Sequence, residues 1–263
     1  MRHVWYCCRG KYGINVPNFE SENRCSWQQF PHGDYLRAEI ERKLVPWLPR
    51  MFGYHMLKLG NLSGEIATSE SPIKHQVCVA EQGLFTGVIA DVDELPFYEH
   101  SVDACILSHC LEYHSDPHHI LREAHRTLIP GGYIVITGFN PFSLCGLAQL
   151  LPFSRQKLPW TGRFFTPSRV KDWLNLLGFE IISDERFIHS SLARGNRLSR
   201  FAAWRSFGQQ YLKPMGSVYM LVARKRVAPL TPIKPKWHAR PQFSPVKGAG
   251  LRQTSKQHCE RDS

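Results

Sequence analysis

Several features that would assign a class at once are missing from this chain. No apolar run approaches the ~20 residues that a bilayer-crossing helix needs. No glycine is followed by Lys-Ser or Lys-Thr at the spacing of a phosphate-binding loop, which excludes a Walker-type nucleotide site. The eight cysteines, at 7, 8, 25, 78, 105, 110, 145 and 259, contain no CxxC pair and form no regular framework. That argues against a zinc ribbon and against a disulfide scaffold. Cys78 and Cys105 lie in apolar runs, where a thiol behaves as a small buried hydrophobe. The opening stretch MRHVWYCCRGKYG has basic residues but no apolar core followed by a small-residue cleavage site. The expectation is a cytoplasmic protein. No internal repeat is visible, so the chain is not a solenoid.

What is present is enough for one domain with extra segments: 263 residues, 43% of them hydrophobic. The net charge of +11 is concentrated at one end. From Arg224 to Ser263 there are ten Lys or Arg against Glu260 and Asp262, which leaves only about +3 for the rest. That segment has five prolines and few large apolar residues, and reads as a disordered basic tail. It is able to make nonspecific contact with nucleic acid or an acidic surface. Residues 1–33 lack periodicity and are expected to form a loosely attached arm. Residues 34–223 are then the folded domain.

Within it, DYLRAEIERKLVPWLPRMF starts a helix at Asp34, with a kink or break at Pro46 and Pro49. Seven short apolar runs follow, at 55–59, 75–79, 87–90, 104–107, 133–137, 179–182 and 218–222. Several are separated by helices, which argues for an α/β sheet packed on both faces. Two helices are clearly signposted. In SDPHHILREAHRTLIPGG, Asp116 is the cap, Pro117 fits the first position, and Pro130-Gly131-Gly132 ends the helix and feeds a strand. In TPSRVKDWLNLLGFEII, Thr166 caps and Gly178 ends the helix.

The stretches ADVDELPF (90–97), SVDACILSHCLEYHSDP (101–117), ILREAHRTLIPGG (120–132) and YIVITGFNP (133–141) together resemble the core of class I S-adenosylmethionine-dependent methyltransferases. They are most similar to the type-11 methyltransferase domain, and FFTPSRVKDWLNLLGFEI (164–181) is similar to its late helix and strand. The resemblance covers roughly residues 50–225. It implies a Rossmann-like sheet of about seven strands with the last antiparallel, helices on both faces, and S-adenosylmethionine (SAM) as cofactor. Carried over, Asp91 and Val92 take the place that meets the adenine, while Ser108 and His109 stand beside the methionine portion. Leu59, Gly60 and Gly64 belong to the first strand and its glycine turn. Asp103 has a structural role at the start of the fourth strand.

Two departures stand out. In LGNLSG the central place holds Leu62, where a glycine normally lets backbone approach the cofactor without an intervening Cβ. A leucine there crowds that approach or sends the loop along another path. Further on, only Ala80–Thr86 separate the second and third runs, too few for an ordinary parallel crossover. The expectation is an antiparallel hairpin, or a run that is not a strand. That edge normally holds the ribose through an acidic residue. Glu81 is the nearest candidate, with Glu65 and Glu70 as alternatives.

Methyl transfer is a displacement that chiefly needs alignment and exclusion of water, so no nucleophile or triad is required. A base is needed only for a protonated acceptor, and His109, His114 and Tyr113 are the candidates. The histidines at 114, 118, 119 and 125 provide no three-ligand spacing on one helical face, so no metal is expected. Acceptor selectivity should reside in segments 140–165 and 186–214. The second interleaves Arg186, Arg194, Arg197, Arg200 and Arg205 with Phe201, Trp204 and Phe207. Such a pattern suits RNA, an acidic small molecule, or simply the two faces of a lid helix. Three readings stay open on the sequence: a methyltransferase acting on a small molecule or RNA, a non-catalytic scaffold of the same fold, and an RNA-associated protein.

Overall fold

A computed structural model describes residues 26–81, 87–148, 158–188 and 216–226. The elements run α1 (Gly33–Leu44), β1 (His55–Leu59), α2 (Asn61–Gly64), β2 (His75–Ala80), β3 (Val88–Ile89) and β4 (Val102–Ser108). They continue with α3 (Pro117–Thr127), β5 (Leu128–Phe139), α4 (Leu144–Ala148), α5 (Pro167–Leu176), β6 (Phe179–Phe187) and β7 (Val218–Lys225). Among the described residues the strands form one seven-stranded sheet, ordered β3-β2-β1-β4-β5-β7-β6. β7 is antiparallel to both neighbours, β5 and β6, and the other pairings are parallel. This is the Rossmann-like methyltransferase sheet that the sequence implied.

Alternation along each strand divides the core between the two faces. Leu57, Leu59, Cys105, Leu107, Ile134 and Ile136 pack with Ile120, Leu121 and Ala124 of α3 and Val170, Trp173 and Leu174 of α5. Met56, Ala104, Ile106 and Val135 pack on the other face with Leu36, Ile40 and Leu44 of α1. The two signposted helices start where their caps stand. The Asp116 carboxylate accepts the N–H groups of His118 and His119 at 3.0 and 3.1 Å, and Thr166 Oγ1 accepts that of Arg169 at 3.3 Å. Asp103 ties β4 to the start of β1, accepting the N–H groups of Tyr54 and His55 at 2.7 and 2.8 Å.

The structure corrects four sequence expectations. β2 and β3 are parallel, neither a hairpin nor unpaired. β3 meets only the last two residues of β2, Val79 opposite Val88 and Ala80 opposite Ile89. The connection therefore has almost no strand length to retrace, and seven residues suffice. The end of the expected loose arm is core: Trp27 and Phe30 are buried. α1 begins at Gly33, after His32 in a left-handed conformation, and not at an Asp34 cap; position 33 is glycine where a Cβ would lie 1.7 Å from the Trp27 carbonyl oxygen. It ends at Leu44, and a 3-10 turn follows at Leu48–Arg50, so the Pro46–Pro49 stretch breaks the helix. Finally, Arg224 and Lys225 belong to β7 and not to the tail. The buried Lys225 ammonium donates to the carbonyls of His125 and Leu128 at 2.6 and 2.9 Å, closing the C-terminal end of α3. Segment 189–214 and the tail beyond 226 lie outside the described residues. No described helix is long and apolar enough to cross a membrane.

Candidate functional site

The strand order reverses between β1 and β4, the switch point at which open α/β sheets bind ligands beyond their strand ends. At the end of β1 the chain turns through Gly60, whose φ of +84° lies in the region that side chains disfavour. Gly60 N–H donates to the Val79 carbonyl at 2.9 Å, fixing the turn to β2. Ser63 Oγ donates to the Leu59 carbonyl at 2.5 Å and accepts the Ser108 N–H at 2.7 Å, fixing it to β4.

This geometry resolves the anomaly at the centre of the glycine motif. The Leu62 side chain is 3% exposed and packs into the core of the α1 face, away from the strand ends. Its carbonyl accepts the Trp27 indole N–H at 2.9 Å. The loop takes the other path: Gly60 and Asn61 face the ligand side, and Leu62 serves as an anchor.

On that side lies a small cleft of about 40 Å³, open to solvent and lined by Gly60, Asn61, Ala80, Glu81, Val92 and His114. Four of the sequence candidates, Gly60, Glu81, Val92 and the candidate base His114, thus meet from four separate places in the chain. Neither Glu65 nor Glu70 is among the lining residues. Leu59 is fully buried beneath the turn, and Gly64 closes α2, its N–H donating to the Gly60 carbonyl at 3.2 Å. Asp91 is exposed and is not among the lining residues; one of its carboxylate oxygens accepts the Asp93 N–H at 3.0 Å. Ser108 is buried, with its hydroxyl 2.9 Å from that of Thr137, so it is part of the sheet end and not of the cleft wall.

His109 is in a different environment. It is 1% exposed and has a left-handed φ of +49°. Its Nδ1 lies 3.1 Å from Glu112 Oε2, and its ring is 4.1 Å from that of Phe139 and 5.6 Å, edge-on, from that of Trp27. The Nε2 atom is buried and has no hydrogen-bond partner among the described residues. Tyr113, another sequence candidate for a base, donates its hydroxyl to the Pro159 carbonyl at 3.1 Å.

Sequence reasoning missed Asn61, Ala80, Asp93, Glu112 and Trp27. Asp93 has a buried carboxylate oxygen without a partner among the described residues. Burial first, then the neighbouring Asp91 charge, push its carboxyl above the ordinary range. Glu112 stands three residues after His109 in HCLEYH, a spacing that sequence alone gives no reason to single out.

The sheet order, the antiparallel β7 and a cleft at the switch point define a class, and comparison agrees. A family model described as a methyltransferase domain matches residues 64–136, beginning just after Leu62. The fold is shared with a SAM dependent methyltransferase from Archaeoglobus fulgidus, with a TM-score of 0.50, 20% identity and coverage of 72% of this chain and 94% of that one. The chain belongs to the class I S-adenosylmethionine-dependent methyltransferase family. Its relatives include YafS of Escherichia coli (strain K12), 42% identical over 209 residues that span 78% of this chain and 82% of YafS. The biotin biosynthesis bifunctional protein BioHC of Saccharophagus degradans is 26% identical over 175 residues, covering 59% of this chain but only 31% of that longer protein.

Proposed function

We propose that this protein binds SAM in the cleft and transfers its methyl group to an acceptor. The observation that supports this most strongly is the convergence of Gly60, Glu81 and Val92 on one cleft at the switch point. The residues present suit the cofactor. The glycine turn lets backbone at Gly60 and Asn61 run alongside it, and the Glu81 carboxylate can accept hydrogen bonds from ribose hydroxyls. In this reading Val92, which lines the cleft, and its neighbour Asp91 are the residues that meet the adenine. Bound there, SAM supplies a methyl group made electrophilic by its positive sulfur. The chain's own task is to align the acceptor and exclude water. Leu62 and the short β2–β3 connection are the two departures from the family pattern that would suit a non-catalytic scaffold. Both have structural explanations that leave the cleft open.

A thermal-shift titration with SAM and with its demethylated product, S-adenosylhomocysteine (SAH), tests this reading. Ligand that binds only the folded state raises the melting temperature with a logarithmic dependence on concentration. A flat response to both at millimolar concentration overturns the proposal and favours the scaffold.

A further inference from the structure

Around α4 the usual distribution of side chains is inverted. Ser143, Cys145 and Gly146 are buried, while Phe142, Leu144 and Leu147 are 75%, 41% and 60% exposed. A single apolar side chain in water is ordinary, but three so close in sequence, above a buried row of small residues, form a patch. Backbone and polar contacts hold the segment this way round. Ser143 Oγ donates to the Asn140 carbonyl at 2.6 Å and accepts the Gly146 N–H at 3.2 Å. Asn140 Nδ2 donates to the Gly216 carbonyl at 3.1 Å, and the Trp160 indole N–H donates to the Cys145 carbonyl at 2.9 Å. A Cβ at position 146 would lie 2.1 Å from the Pro141 carbonyl oxygen, so the close approach requires glycine. The apolar face is therefore fixed outward.

Charge in the sequence around this patch has one sign. No Asp or Glu occurs from 124 to 171, a stretch that holds Arg126, Arg155, Lys157, Arg163, Arg169 and Lys171. None occurs from 186 to 259 either, where there are fifteen Lys or Arg. Arg163 is exposed, three residues after the Trp160 that packs beneath α4. The position in the fold also matters. β1, β4 and β5 are parallel neighbours, so α4, which follows the end of β5, leaves the same edge of the sheet as the glycine turn after β1.

We propose that α4 docks this protein on an anionic bilayer: Phe142, Leu144 and Leu147 enter the membrane interface, and Lys and Arg of the acid-free stretches meet the headgroups. Interfacial binding of this kind adds buried apolar area to attraction between basic side chains and acidic lipid. Both ingredients are present, and neither alone would hold the protein: three side chains give little area, and charge alone is screened by salt. A bilayer suits the patch better than RNA does. Single-stranded RNA is held by aromatic faces and cations, whereas Leu144 and Leu147 offer neither a π face nor a hydrogen-bonding group to a base or phosphate. Docking through α4 turns the ligand edge of the sheet toward the bilayer. The proposal stands independently of methyl transfer.

The test is sedimentation of the full chain with phosphatidylcholine vesicles, with and without about one-third phosphatidylglycerol. Wild type is compared with the double variant Phe142→Ser/Leu147→Ser and with Leu147→Trp. The basic tail can attract vesicles by charge alone, so the difference between the proteins decides, not binding by itself. The expected result is saturable binding of wild type to the anionic vesicles, weakened about tenfold or more in the double variant. Its melting temperature should stay unchanged, because both replaced side chains are exposed. Leu147→Trp keeps the surface apolar and gives an independent reading: tryptophan favours the membrane interface, so this variant should bind more tightly. Wild type that stays in the supernatant, or equal binding by wild type and both variants, overturns the proposal. So does a double variant that loses as much affinity for a labelled oligouridylate as for the vesicles, an outcome that would assign the patch to RNA.

Discussion

Replacing Leu62 by glycine would restore the usual motif, and motif logic alone expects tighter cofactor binding. The structure predicts the opposite balance. Leu62 is 3% exposed and packs with the core that includes Trp27, Met56 and Ile106. Truncating a buried leucine to alanine costs about 2–5 kcal/mol, and glycine in a helical turn adds about 0.5–1 kcal/mol through backbone entropy. A loss of about 4 kcal/mol lowers the melting temperature of a domain of this size by roughly 8–16 °C. Because Gly60 and Asn61 form the cleft wall, removing the Leu62 side chain opens no new space for the ligand. Circular dichroism melts of wild type and Leu62→Gly, paired with SAH calorimetry on both, measure the two effects. An unchanged melting temperature together with tighter SAH binding would refute the placement of this side chain in the core.

Three further outcomes follow from the same structure. Glu81→Gln keeps size and shape but removes the charge offered to the ribose, so SAH affinity should fall about tenfold or more, with little change in melting temperature. Cys105 and Cys110 are buried so deeply that their thiols are pushed up far beyond the ordinary range, and burial raises Cys78 to about 11. Peptide mass spectrometry after iodoacetamide treatment of the folded chain should find Cys105 and Cys110 unmodified, with labelling appearing on denaturation. Glu123 is held below the usual carboxylate range chiefly by its hydrogen bonds to Arg126. A depressed carboxyl stabilises the fold above its unfolded pKa of about 4.3, and that contribution is lost as pH falls through the lower folded value. The melting-temperature gap between wild type and Glu123→Gln should therefore be constant near neutral pH and close below about pH 4.

The parts of the fold that were legible in the sequence carry local chemistry. β1 was read as 55–59 because an apolar run ends at a glycine that must turn. α3 was read from Asp116 and Pro117 because a cap and a proline specify a helix start by themselves. Its end was misplaced: the helix stops at Thr127, and Pro130-Gly131-Gly132 lie within β5, where Gly131 has φ +85° and a Cβ on Gly132 would lie 2.9 Å from the Asp103 carbonyl oxygen. What could not be read was set by distant partners. Trp27 and Phe30 have no periodicity, and their burial depends on a chamber formed by residues 109, 113 and 139. β6 was read as ending at 182 because its continuation SDERF is polar; as an edge strand beside β7 it can expose that face. The β2–β3 connection looked too short because the crossover rule assumes full-length pairing. Of the site, Gly60, Glu81 and Val92 were found by their place in an ordered set of motifs. The His109–Glu112 pair depends on a strained turn after β4, and no pattern of residues announces that.

The central claim is that this fold binds the methyltransferase cofactor in the cleft at the ends of β1 and β2. Isothermal titration calorimetry of SAH into the full chain tests it most directly, with Asp91→Ala and Glu81→Gln as comparisons. The account predicts saturable one-to-one binding by the wild type, competed by SAM, and weakened in both variants without loss of fold. Absence of heat at millimolar SAH, or binding that neither variant alters, would contradict it.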